Sequence, residues 1–432
     1  MKLLSWLGFN PKTMSIRTEL TAGLTTFLTM SYILAVNPDI MGSIGMDKGS
    51  VFTATALSGA VATLVMAFLA KVPFALAPGM GINAFFAFTL VQGMGYSWET
   101  ALAAVFVEGL VFLILTIFNI REAIVNSIPE TIRYAISGGI GLFIAFIGLK
   151  NCGIVVASPA TFVTMGQWEP TSVLAFCGII LSAVLMKLHI KGAIFYSIII
   201  ITLLGIPFGV TTLPEHFMPF SAPASLEPTF MKFDFSNIFS WDMAIIIFSL
   251  IFMDLFDTLG TLVGASLKAD MVDKDGKMPH LRPALLTDSI GTMFGAVLGV
   301  STVTTYVEST TGIAVGGRSG LTSATTAVCF LFALFFSPLF LLIPSAATTS
   351  ALVIVGVLMM DTVRRVDFSD ITESLPAFIT IAMMPLTYSI SEGMVLGLLS
   401  YVFVKVFSGQ FKAVSLTMYI LAILFLLRYI LT

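Results

Sequence analysis

Residues 74–86 read Phe74-Ala-Leu-Ala-Pro78-Gly79-Met-Gly81-Ile-Asn83-Ala-Phe85-Phe86, with a proline and two glycines inside an apolar run. Proline lacks the N–H that a helix interior needs, and glycine loses the most backbone freedom on entering one. The first part of the run is therefore predicted to be extended and the part after Gly81 helical. A second run, Gly299-Val-Ser-Thr-Val-Thr-Thr-Tyr-Val-Glu308-Ser-Thr-Thr-Gly312, is β-branched almost throughout. β-Branching favours an extended segment, here turning helical near Glu308. An unwound backbone in lipid has nothing to bond to, so such segments must line a cavity or meet protein partners. A simpler reading, that Pro78 and the glycines only permit close helix packing, explains neither the second interrupted run nor its acid.

The surroundings of these runs are a membrane protein. Of 432 residues 57% are hydrophobic and 10% charged, against soluble norms of about 45–50% and about 25%. Mean hydropathy is +1.01 over the whole length, which excludes a soluble enzyme carrying one anchor. The formal net charge is −3, with no block of five or more basic residues, so nothing suggests nucleic acid as a partner. Cys152, Cys177 and Cys329 lack metal or disulfide spacing and read as inert packing residues.

Residues 1–20 read as a retained interfacial helix, since the apolar patch is short and no small-residue cleavage site follows. Apolar runs then recur at about 21–40, 51–70, 75–91, 98–119, 133–150, 171–188 and 192–210, followed by a Pro-rich break. A second series lies at about 241–266, 284–298, 301–316, 320–343, 346–361, 371–390, 391–407 and 414–431. It holds one run too many for seven plus seven, which points to a half-span or hairpin limb within 371–407. With the N-terminus cytoplasmic, all of the 21 Lys and Arg fall inside except Lys48, Lys150, Lys232 and the ambiguous Arg428, in agreement with the positive-inside bias. The run Asp273–Lys277 lacks the remaining ligands of a calcium loop and reads as a solvated turn.

The interrupted runs fall third in each half. Paired interruptions at corresponding positions point to a midplane transport site between repeats. Because seven is odd, the second repeat would enter the membrane upside down, and two half-helices would face each other with their N-termini inward. The fold expected is an all-α polytopic membrane protein with 14 transmembrane spans, as two inverted seven-span repeats with short extended segments in spans 3 and 10.

Four acids lie well inside apolar runs: Glu108, Asp254, Asp257 and Glu308. Each costs about 2.5–3.5 kcal/mol on insertion scales, so function is the default reading. Asp254, Asp257, Thr258 and Thr261 share one helix face. Two carboxylates so close are suited to taking and releasing a proton, as a proton-coupled carrier requires. Their charge repels anions and favours a cation or a neutral molecule rich in N–H donors. Phe27, Phe85, Phe86 and Phe256 offer flat surfaces for an aromatic ring, or else are ordinary core and lipid-facing residues. Two roles are open to Glu108, a proton path and a structural hydrogen-bond partner. Asp288 reads as a helix-end or interface residue.

No catalytic set or cofactor site emerges. His189, His216 and His280 have no metal spacing, and Gly316-Gly317-Arg318-Ser319-Gly320 lacks the Walker spacing and lysine. The alternative functions left open are an H⁺ or Na⁺ carrier or channel without a nucleobase substrate and, from another class, a membrane-embedded enzyme acting on lipid.

Four segments carry a family resemblance. They are Ala22–Tyr32 continued through Val36-Asn37-Pro38, Ala77–Phe86, Asp254–Thr261 and Ser301–Ser309. In them the chain resembles the AzgA-like purine permeases, a branch of the nucleobase:cation symporters, over nearly its whole length. The resemblance implies proton-coupled uptake of hypoxanthine, guanine or adenine across the plasma (inner) membrane, by a core domain that slides against a gate domain in a homodimer. It implies core parts at 21–125 and 241–345, gate parts at 126–210 and 346–432, and an extracytoplasmic connection at 211–240. It further implies that Asp257 and Glu308 hold the base, that Asn83 contributes from the opposite half-helix, and that Asp254 supports binding or coupling. Thr261, Thr305 and Phe27 complete the expected lining. The proton is expected on Asp254, Asp257 and Glu308.

Overall fold

The computed structural model describes residues 2–118, 129–214, 218–268, 271 and 280–431. The turn Asp273–Lys277, His216 and the side chain of Phe256 lie outside the described residues. Helices α1 (Lys2–Trp6), α2 (Ile16–Met30), α3 (Ile33–Gly42) and α4 (Lys48–Val65) come first, α4 continuing as a π-helix over Met66–Ala70. Strand β1 (Leu76–Pro78) leads into α5 (Met80–Ala84), which continues as a π-helix over Phe85–Gly93, and then α6 (Trp98–Ile117). Next are α7 (Glu130–Asn151), the hairpin β2 (Val155–Ser158) and β3 (Phe162–Met165), α8 (Pro170–Lys187) and α9 (Ala193–Gly205). After the long connection follow α10 (Trp241–Lys268), α11 (Leu281–Leu298), β4 (Val303–Thr305), α12 (Ser309–Val315), α13 (Gly320–Ala333) and α14 (Ser337–Leu341). The chain closes with α15 (Ser345–Met360), α16 (Ile371–Leu386), α17 (Ile390–Phe407) and α18 (Leu416–Leu431).

Among the described residues, seven helical stretches are long and apolar enough to cross a membrane: 16–42, 48–70, 98–117, 130–151, 170–187, 320–341 and 345–365. Shorter apolar helices occur at 80–93, 193–205, 371–386 and 416–427. This is a multi-pass membrane protein, helical throughout its bulk. Within 371–407 lie two helices, 16 and 18 residues long, of which the first is among the shorter apolar helices.

The helices fall into two packing groups. In one, α2, α4, α6, α11 and α13 pack on each other, with α3 on α4, α12 on α2 and α10 on α6. In the other, α15 packs on α7, α8 and α9, and α16 packs on α7 and α17. Between the groups, α5 and α10 touch α7, α9 touches α2, and α15 touches α3.

The N-terminal segment is not one interfacial helix. The short α1 ends at Trp6 and α2 begins at Ile16, so the expected boundary at residue 20 falls inside α2. Leu7 and Phe9 are buried, and Gly320 donates its N–H to the Leu7 carbonyl at 2.9 Å. Glu19 holds this arrangement. Its carboxylate receives the N–H groups of Arg318 and Ser319 at 3.0 and 3.3 Å and the Thr322 hydroxyl at 2.5 Å.

Candidate functional site

The two interrupted runs meet. Strands β1 and β4 pair antiparallel, with Leu76 opposite Thr305, Ala77 opposite Thr304 and Pro78 opposite Val303. All six residues are buried or nearly so. Buried backbone must find partners, and here side chains and the opposite segment provide them. Gly79 donates to the Thr302 carbonyl and Tyr306 to the Ala75 carbonyl, both at 2.9 Å. Ala75 N–H reaches Ser309 Oγ at 3.0 Å, and the Thr63 hydroxyl bonds both the N–H and the carbonyl of Leu76, at 2.9 and 3.1 Å. Ser323 Oγ lies 2.7 Å from the Val72 carbonyl and 2.8 Å from the Phe74 carbonyl and shares its one hydrogen between them. Pro78 offers no N–H, and its carbonyl accepts from Tyr306 Oη at 2.6 Å.

Two glycines shape the crossing. Gly299 ends α11 at φ +102°, a left-handed value that turns the chain into β4. A Cβ on Gly79 would stand 2.9 Å from Thr304 Oγ1, closer than side chains pack, so glycine lets the segments cross.

Hydroxyl groups meet the acids around this crossing. Tyr32, at the break between α2 and α3, donates to Glu308 Oε1 at 2.5 Å. Thr304 donates to Asp257 Oδ2 at 3.3 Å, and Asp257 is within electrostatic reach of both Asp288 and Glu308. Thr302 donates to Glu108 Oε2 at 2.6 Å. Ser301 Oγ bonds Asn83 Oδ1, while Asn83 Nδ2 is buried with no hydrogen-bond partner among the described residues. Asp257 keeps part of its surface accessible, whereas Asp254, Asp288 and Glu108 are fully buried.

A second acidic pair lies beside the first. Thr258 Oγ1 is 2.9 Å from Asp254 Oδ1 and 2.8 Å from Asp288 Oδ1. One hydroxyl carries one hydrogen. The two contacts share that hydrogen, or one of the carboxyls is protonated and donates to the hydroxyl oxygen.

The sequence-predicted residues divide accordingly. Asp257 and Glu308 come to the strand crossing from α10 and from the start of α12, and Asn83 comes from α5. Asp254 faces Asp288 through Thr258. Thr261 is buried one turn from Asp257 on the same helix. Thr304, not Thr305, meets Asp257, because neighbouring strand residues point to opposite faces. Phe27 packs edge-on against Phe330 of α13, with centroids 5.3 Å apart, a packing contact between helices. Phe85 and Phe86 are likewise core residues. Glu108 partners the extended segment through Thr302, a contact compatible with both roles read for it.

Of the two roles read for Asp288, helix end or interface, only the second holds: it sits fully buried in the middle of α11, between the buried Thr287 and Ser289, and meets Thr258 of α10. The polar triplet inside an apolar run was the available signal. The tyrosines were hidden differently: nothing in their spacing shows that Tyr32 reaches Glu308 across 276 residues or that Tyr306 closes on Pro78.

The model of the Permease family (Xan_ur_permease) matches residues 17–396. This chain belongs to that family. It is 44% identical over 419 residues to adenine permease AdeQ of Escherichia coli K12, covering 96% of this chain and 94% of that protein. It is 42% identical over 428 residues to guanine/hypoxanthine permease PbuG of Bacillus subtilis 168, covering 96% and 97%. Among solved structures, the transmembrane domain of a cyanobacterial bicarbonate transporter, BicA, superposes with a TM-score of 0.67 over 89% of this chain and 98% of that one. At 16% identity that likeness concerns the fold alone. The AzgA-like resemblance of the sequence motifs stands within this permease family.

Proposed function

We propose that this permease is a proton-coupled symporter that imports purine nucleobases, hypoxanthine or guanine with adenine as the third candidate, by elevator-type alternating access. The observation that carries the reading is the gathering of Asp257, Glu308 and the Asn83 amide nitrogen, which has no partner among the described residues, around two crossed extended segments. Carboxyls accept hydrogen bonds from the N–H groups of a purine edge, and a buried amide donor without a partner suits a ring nitrogen or carbonyl. The relatives named as purine permeases support the substrate class.

Proton coupling is supported by crowded acids. Asp257 stands near Asp288 and Glu308 in a low-dielectric interior, and two more carboxyls share the Thr258 hydroxyl. Charges so placed repel unless protons join them. A proton entering with the base would remove one of the site's negative charges and lower the cost of crossing the apolar barrier. The two helix groups support a core of residues 21–125 and 241–345 moving against a gate of residues 126–210 and 346–432. On this reading the chain makes fourteen spans in two inverted sets of seven, sits in the plasma membrane with its N-terminus cytoplasmic, and works as a homodimer.

The test is uptake into proteoliposomes. An inward proton gradient is expected to drive labelled hypoxanthine uptake, with competition by guanine and adenine but not by pyrimidines. Uptake indifferent to collapse of the gradient would remove the coupling, and competition by pyrimidines as strong as by purines would remove the substrate class. Glu308→Gln is expected to abolish or severely weaken binding. Wild-type affinity in that variant would take Glu308 out of the site.

A further inference from the structure

Two backbone irregularities outside the transport site converge on one contact. Tyr388, in the short turn between α16 and α17, has φ +54°, a left-handed value that bulky residues rarely adopt. Glycine would hold the same turn without strain. A strained position that keeps a large ring suggests that the ring has a use. Phe88 lies in the π-helical stretch Phe85–Gly93, a helix form that recurs at functional positions. Their rings meet edge-to-face, with centroids 6.1 Å apart and planes at 71°.

The two residues belong to different packing groups. Phe88 continues the helix that carries Asn83, five residues further on, so the ring and the site move as one element. On the other side, Tyr388 is wedged against Phe143 and Phe146 of α7, at 5.4 and 6.1 Å. Lys150, at the end of α7, donates to the Tyr388 hydroxyl at 3.1 Å and stands 4.8 Å from the Tyr388 ring and 6.0 Å from that of Phe88. Among the described residues no ion pair includes Lys150. Rings and a hydroxyl are its neighbours. Edge-to-face and cation–π contacts are each modest and carry no buried ion pair, so such a set can both hold and release.

We propose that Tyr388, Phe88 and Lys150 form a latch between the two helix groups, which closes the route from the Lys150 end to the transport site and opens when a nucleobase enters. The inference rests on the transport reading, with Lys150 on the outer side. If the latch biases the closed state, loosening it raises the fraction of molecules open to the outside. The apparent affinity for external base rises with that fraction.

The decisive experiment has three readouts on the full-length protein. In a Phe88→Cys/Tyr388→Cys variant, a short bifunctional thiosulfonate should join the pair and lower hypoxanthine uptake about tenfold, as expected when the required open state is withdrawn. A thiol reductant should restore uptake. A pair that does not cross-link, or a cross-linked protein that transports normally, overturns the latch. Tyr388→Gly keeps the turn and removes the ring. It should lower the KM for external hypoxanthine about threefold with a reduced maximal rate, while Tyr388→Phe stays near wild type. An unchanged KM in Tyr388→Gly would make Tyr388 a turn residue only. The third readout needs no substrate. Thr89, buried beside Phe88, is replaced by Cys, and its labelling by a membrane-impermeant maleimide should increase in the Tyr388→Gly background. Absence of that increase refutes the latch even if no purine is transported, whereas failure of wild-type uptake alone would count against the transport reading.

Discussion

The Tyr32–Glu308 bond joins the break between α2 and α3 to the second interrupted segment at 2.5 Å, both partners being nearly inaccessible. A hydrogen bond to a charged group contributes about 1.5–3 kcal/mol. Tyr32→Phe keeps the ring and removes the donor, so purine affinity should fall about tenfold or more by isothermal titration. Unchanged affinity would show that Glu308 is held by other contacts. Gly79 is a second single-residue test. The Cβ of Gly79→Ala would press on Thr304 Oγ1, the group that touches Asp257. Uptake should drop steeply while the protein still folds, as checked by size-exclusion profile and transport rate. Both the acid at 308 and the glycine at 79 were legible from residue type alone, because a buried acid in lipid and a glycine beside proline each break a rule. Asp288 was not legible as a site residue. It meets Thr258, which is contributed by another helix 30 residues away.

At the level of elements, helix ends carry their own tests. Asp47 caps α4, its carboxylate accepting from the N–H and the hydroxyl of Ser50, both at 2.7 Å. These bonds hold its carboxyl below the ordinary value of 3.8. A lowered folded value means that the cap stabilises the protein above about pH 4 and that this contribution is lost as pH falls further. Asp47→Ala should cost about 1 kcal/mol at neutral pH, with the difference from wild type shrinking in melts performed below pH 4. A constant difference across that range would argue against the charged cap. The extended character of β4 was readable from its threonines and valines, and the break at Pro78 from the missing N–H. The π-helical turns at 66–70 and 85–93 left no such trace. They are ordinary helix-forming residues whose hydrogen-bond pattern is set by what packs against them.

For the whole molecule, the acids and the two helix groups make ligand binding and stability one measurement. A base that binds only the folded protein stabilises it by about 2.7 kcal/mol at a hundred times its Kd. Hypoxanthine, guanine or adenine should therefore raise the melting temperature of the purified protein, and sodium alone should not. Stabilisation by sodium without any response to purines would favour the ion-carrier reading instead. The sequence by itself determined that the chain lives in a membrane, where its helices break and which acids are out of place, because each is a local conflict between residue chemistry and an apolar solvent. Only the tertiary structure decided that the breaks cross as an antiparallel pair, that Tyr32 and Thr304 rather than Thr305 attend the acids, and that Asp288 joins them. Those facts depend on contacts between segments tens to hundreds of residues apart, and no local preference encodes which hydroxyl will arrive at which carboxylate.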